Sequence, residues 1–197
     1  MSTAHGCAGQ SDTMTVQKLS RRREGGFTLI DLLFVIALIG LLSALAVPGL
    51  MRARGAAQAS SALGTLQVIN SGQLSFAIAC GSGFYAADLP TLGIGPPGAM
   101  EGYLPPELTS GFTFIKSGYL FSMAGTPVPG APPTCNGLGV GQTASGYAVI
   151  ADTLDAQAAS PRYFGTNTDG VVYESSRTLA PVMPEGGAPP GASVLRQ

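Results

Sequence analysis

The sequence predicts an α+β chain in which a long N-terminal α-helix, half transmembrane and half amphipathic, packs on a small antiparallel β-sheet. Three observations lead there. An apolar run from Phe27 to Val47 carries a single charge, Asp31, and an Ala-, Leu-, Gln- and Ser-rich stretch with apolar residues at helical spacing follows as far as Cys80. Beyond it, short β-like runs alternate with turn residues. Charged residues make up only 11 % of the 197, against an apolar share of 45 %, which describes a weakly charged folded domain rather than a disordered chain. That length leaves room for one domain of moderate size plus a membrane segment.

Residues 1–26 form a leader. Its first 20 residues are small and polar without periodicity, so disorder is expected there. Lys18 and Arg21-Arg22-Arg23 outnumber Asp12 and Glu24, whereas residues 27–197 carry six basic side chains against nine acidic ones. The positive-inside rule then keeps the leader cytoplasmic and sends the rest of the chain across the inner membrane. Residues 27–47 would be a single span, since 21 residues of helix cover about 31 Å, the depth of a bilayer core. Ser43-Ala44-Leu45-Ala46 looks like a signal-peptidase site, but the run is too long and the next segment continues as helix.

Residues 48–80 read as the amphipathic half. Ala59, Ala62, Leu63, Leu66, Ile69, Phe76, Ala77 and Cys80 form a stripe, with Arg52, Arg54, Gln58, Ser61 and Gln67 mostly off it. Pro48, inside a pattern of about 50 residues, would kink or locally open the helix. Cys80-Gly81-Ser82-Gly83 supplies the stop, with Gly81 in the left-handed conformation. Residues 81–177 form the globular domain. Its first 30 residues are Gly/Pro-rich loop with a short helical turn near Asp88-Leu89.

Strands are expected at Phe112–Ile115, Tyr119–Ser122, Tyr147–Ala151, Arg162–Phe164 and Val171–Tyr173. Lys116-Ser117-Gly118 makes a tight hairpin between the first two, and Asp169-Gly170 turns between the last two. Such a sheet must bury one face, and the helical stripe is its natural partner. Residues 178–197 read as a flexible, loosely attached tail.

The chemistry available is limited. The single histidine, His5, lies in the leader, and residues 27–197 contain neither histidine nor tryptophan. Without the leader, His-based acid/base work, Ser-His-Asp or Cys-His nucleophiles and His-ligated metals are excluded. No basic patch interleaved with aromatics points to nucleic acid. Cys7 belongs to the leader, whereas Cys80 and Cys135 both lie beyond the span, so one disulfide is the simplest reading and a pair of free thiols the alternative. Asn167 to Asp169 offers oxygens for calcium, but one or two acids fall short of about six to eight ligands, which favours a turn. Asp152 and Asp155 read as loop carboxylates. No cofactor is implied.

Gly26-Phe27-Thr28-Leu29-Ile30-Asp31-Leu32, with basic residues upstream and Pro48 at the end of the run, resembles the prepilin signature of type IV pilins and type II secretion pseudopilins. The signature covers about residues 21–50. Gly146 to Ser176, with Arg162-Tyr163-Phe164-Gly165-Thr166-Asn167 leading into Asp169-Gly170, is similar to the C-terminal sheet of such subunits. The resemblance implies a prepilin peptidase and N-methyltransferase that cuts between Gly26 and Phe27 and methylates the Phe27 amine. It also implies an inner-membrane assembly platform, membrane lipid around the stored subunit, and other subunits of the same kind as partners.

In the family a glutamate stands where this chain has Asp31, and its carboxylate meets the terminal ammonium of a neighbour. By that analogy Asp31, Phe27 and Pro48 serve assembly, with a side chain roughly 1.5 Å shorter than glutamate. A leader of 26 residues exceeds the family's short one, and a start at Met14 would restore the usual length. Gly40 and Pro48 bracket a segment that either unwinds on assembly or stays a kinked helix. The function implied is a filament subunit with no catalysis of its own. Its alternatives are a pseudopilin whose short fibre pushes substrates outward and a membrane-anchored periplasmic enzyme or binding protein.

Overall fold

A computed structural model describes residues 28–157 and 160–195. The chain divides into one unit that ends at Ala46 and a second that begins at Val47. Helix α1 (Leu29–Ala79) runs through Pro48 without ending there, and contributes to both units. In the first unit every described residue of the helix is exposed, including Leu29, Ile30, Phe34 and Leu45. Among the described residues α1 is the helix long and apolar enough to cross a membrane, with a mean hydropathy of 2.7 in its most apolar stretch.

The second unit holds the sheet. After α1 come β1 (Tyr85–Ala86), two single-turn helices α2 (Leu89–Leu92) and α3 (Pro106–Thr109), and then β2 (Thr113–Lys116) and β3 (Tyr119–Ala124). The chain continues with β4 (Thr143–Ala144), β5 (Ala148–Thr153), β6 (Tyr163–Asn167), β7 (Val172–Ser175) and β8 (Ser193–Val194). Six strands form one antiparallel sheet in the order β2-β3-β5-β6-β7-β8, and β1 pairs with β4 apart from it.

The helical stripe is buried as its spacing predicts. Ala59, Ala62, Leu66, Ile69 and Phe76 join Phe114, Phe121, Met123, Val149, Ala151 and Phe164 of the inner sheet face in one core. Alternation along β3 and β5 puts every second side chain on that face. Both predicted turns form. Ser117 and Gly118 have φ of 50° and 80°, the pair of positive angles that a two-residue hairpin of matching twist requires. Gly170 takes φ 71° and its N–H donates to the Asn167 carbonyl.

Buried polar groups tie α1 to the sheet. Gln73, fully buried, accepts from the Ala86 N–H and donates to its carbonyl, both at 2.9 Å. Asn70 donates to Thr166 Oγ1 at 2.9 Å and accepts from the Tyr147 hydroxyl at 3.0 Å. Burial pushes the Tyr147 phenol well above the ordinary tyrosine range, with nearby Tyr85 adding to the shift. An unfolded phenol ionises near pH 10 while the folded one resists, so this stabilisation is complete below about pH 10 and lost as pH rises further. The unfolding midpoint should therefore drop between pH 10 and 11, and Tyr147→Phe should remove part of that drop in denaturation curves recorded at each pH.

Three expectations need correction. The left-handed residues after α1 are Ser82 and Gly83, with φ of 53° and 89°, and not Gly81. Gly81 is required for space, because a Cβ there would lie 2.9 Å from Phe76 Cε1 and overlap the Phe84 carbonyl. The loop after Cys80 is more ordered than its composition suggests. The turn expected near Asp88-Leu89 forms as α2, with Asp88 accepting from the Thr91 N–H at 3.0 Å, whereas α3 was not anticipated.

The third correction concerns the C-terminal segment, read as a loose tail. Residues 178–195 instead pack back on the sheet. Leu179 is 1 % exposed, and its side chain and that of Met183 occupy the space a Cβ at Gly165 would need. Asn167 donates to the Pro184 and Gly187 carbonyls, Thr126 donates to Glu185, and β8 pairs with β7. Gly165 lets this segment approach the outer sheet face closely, and a side chain there would force Leu179 and Met183 to shift.

Candidate functional site

Gly26 and Phe27, the residues on which cleavage and methylation were read, lie outside the described residues. The described chain starts at Thr28, immediately before α1. Thr28 and Asp31 form a reciprocal cap at that helix end. The Thr28 hydroxyl and backbone N–H both donate to Asp31 Oδ2, at 2.7 and 3.2 Å, and the Asp31 N–H donates back to Thr28 Oγ1 at 3.4 Å. A threonine followed three residues later by an acid satisfies donors that the first turn of a helix leaves open. The negative charge also faces the positive end of the helix dipole.

The spacing Thr-x-x-Asp before an apolar run signals this cap, and only Asp31 was singled out from the sequence. Its carboxylate is therefore already engaged with Thr28 of its own chain. Pro48 sits inside α1, where the helix is exposed on all sides.

The two cysteines beyond the apolar run come together. Cys80, at the end of α1, is bonded to Cys135, with Cα atoms 4.9 Å apart, and the Cys135 N–H donates to the Cys80 carbonyl. The free-thiol alternative is thereby overturned. Asn136 donates to the Thr91 and Ile94 carbonyls, which holds the same stretch against α2.

Two open hollows lie in the second unit. One, of about 570 Å³, runs between α1 and the β7–β8 edge and is lined by Gln67, Asn70, Val172 and Leu195 among others. Of its polar side chains, Asn70 is already bonded to Thr166 and Tyr147 and Ser71 to the Gln67 carbonyl. The other, of about 280 Å³, holds Asp169 and Glu185. Those acids serve the fold, since Asp169 accepts from the Gly187 N–H and Glu185 from the Thr126 N–H and hydroxyl. No group of three metal-ligating side chains occurs among the described residues. Asn167, expected in a turn, is buried and anchors the C-terminal segment. Asp152 accepts from Thr178 and so also belongs to that anchorage.

Arg162, one residue before β6, pairs with Glu174 of β7, which raises the guanidinium further above its ordinary range, and it lies over the Phe164 ring at 5.1 Å. The chain matches no protein-family model, no curated protein and no solved structure.

Proposed function

We propose that this protein is a structural subunit of a type IV pilus or a pilin-like filament, stored in the cytoplasmic membrane and assembled through its N-terminal helix. One combination carries the reading: an apolar helical segment, exposed along its whole described length, begins at Leu29, two residues past Phe27, and bears its only charge in the first turn. In a simple anchor that carboxylate would serve only to cap the helix with Thr28, a task an uncharged side chain performs without the free-energy cost of a charge near hydrocarbon. A subunit packed by its helices against copies of itself supplies both a cover for the apolar surface and a counter-charge for Asp31. The disulfide-bonded sheet unit, carried on the same helix, would then form the outside of the fibre.

In this reading the prepilin peptidase removes residues 1–26 and leaves the apolar helix in place. Gly26, without a side chain, suits an extended backbone entering an active site at the membrane surface. The protein performs assembly and no catalysis. Intact-mass and N-terminal peptide mass spectrometry on protein from membranes should find a chain beginning with N-methyl-Phe27. An intact leader, or a terminus near Ala46, would overturn the reading.

A further inference from the structure

The membrane-stored state leaves two cations without a partner. Arg52 and Arg54 are exposed, and neither is in the ion pairs found among the described residues. They are the first charges after Asp31, and the next charge in the chain is Asp88. Leu32 to Met51 is thus a window of 20 uncharged residues. Twenty residues of helix cover about 30 Å, the thickness of the hydrocarbon layer.

A window of that length ends where hydrocarbon gives way to lipid phosphates. Arg52 is the first residue past it and Arg54 follows two later. Two helical steps turn the side chain by about 200°, so the two guanidinium groups leave opposite sides of the helix and meet different headgroups. Arginine suits the task through its apolar stem and its planar fork, which grips a phosphate by two parallel hydrogen bonds. The remainder of α1 to Ala79 carries no charge that could compete for either group.

We propose that Arg52 and Arg54 bind the phosphates of anionic phospholipids in the outer leaflet and fix the depth of the stored subunit. The inference rests on the membrane-stored filament-subunit reading and adds a step to it, because extraction into a fibre must break both contacts. The pair does not reverse the orientation of the span, since Lys18 and Arg21 to Arg23 outnumber it on the other side.

The test uses the full chain reconstituted in phosphatidylcholine vesicles containing spin-labelled phosphatidylglycerol or spin-labelled phosphatidylcholine. Electron paramagnetic resonance then reads which lipid is held at the protein. The preference for phosphatidylglycerol should fall about fivefold for each arginine replaced in Arg52→Gln and Arg54→Gln. The Lys variants should keep most of it. Equal preference in the wild type and the double Gln variant would overturn the proposal while leaving the filament reading intact. A chain that fails to enter vesicles of either composition would overturn the membrane-stored reading and the proposal with it.

Discussion

Asp31→Asn is expected to leave the protein folded, processed and in the membrane while lowering its incorporation into filaments by tenfold or more. Asparagine keeps an oxygen that can accept from the Thr28 N–H and hydroxyl, so the start of α1 retains its cap. What disappears is the charge. Losing an ionised group from an apolar helix makes insertion easier, by up to about 2.5–3.5 kcal/mol at the bilayer centre and less at this edge position. A hydrogen bond to a charged group contributes about 1.5–3 kcal/mol, so losing one at each subunit junction corresponds to tenfold or more.

The ratio of variant to wild-type protein in sheared filaments, set against the same ratio in membranes, measures the effect. Asp31→Ala removes cap and charge together. Any further loss beyond Asn therefore reports the cap, at about 0.5–2 kcal/mol. Normal filaments from the Asn variant would end the counter-charge role of Asp31 and leave it as a helix cap.

Replacing both Cys80 and Cys135 by serine should destabilise the sheet unit by about 4 kcal/mol, the chain-entropy value for a closed loop of 55 residues. The bond joins the last turn of α1 to a stretch that forms no strand of the six-stranded sheet. Removing it loosens the stretch around Cys135, which then depends on the Asn136 bonds to the α2 region and the Cys135 N–H bond to the Cys80 carbonyl, while Gly125, Thr126 and Val128 stay tied to Ala87, Glu185 and Thr143. The double variant avoids a lone thiol that would form mixed disulfides. Urea unfolding of the full chain in detergent, followed by circular dichroism, gives the difference. A loss under 1 kcal/mol would show that hydrogen bonds around Asn136 and Thr134 hold this loop without the crosslink.

Most of the α1 packing was legible in residue spacing. Ala59, Ala62, Leu66, Ile69 and Phe76 lie on the face their three- and four-residue steps assign them, because an amphipathic stripe has one way to leave water. The central strands were legible for a similar reason, with β-branched and aromatic residues bounded by Ser117-Gly118 and Asp169-Gly170. Their edges shifted by up to three residues, since pairing with a neighbour decides where a strand stops. The two-residue strands β1, β4 and β8 were not legible at all. Tyr85–Ala86 and Ser193–Val194 are too short to show a period, and they are strands only because a partner lies alongside.

The candidate site divides in the same way. Asp31 stood out as a carboxylate in an apolar run, whereas its local bond to Thr28 was written in the Thr-x-x-Asp spacing and went unread. The reading of residues 178–197 as loose failed because Gly and Pro composition reports backbone preference and says nothing of a docking surface. Leu179 finds its place only once β6 presents Gly165 to it.

By itself, the sequence determined the elements whose signal is local and repeated: the uncharged window between Asp31 and Arg52, the helical stripe, the hairpin turns and the two cysteines available for pairing. Tertiary structure alone decided which distant groups meet. It joined Asn70 to Tyr147 and Thr166, closed Cys80 on Cys135, set the order of six strands and folded the C-terminal segment over the sheet. Periodicity records which face of an element avoids water, whereas a contact between residues far apart in the chain depends on where the whole fold places them.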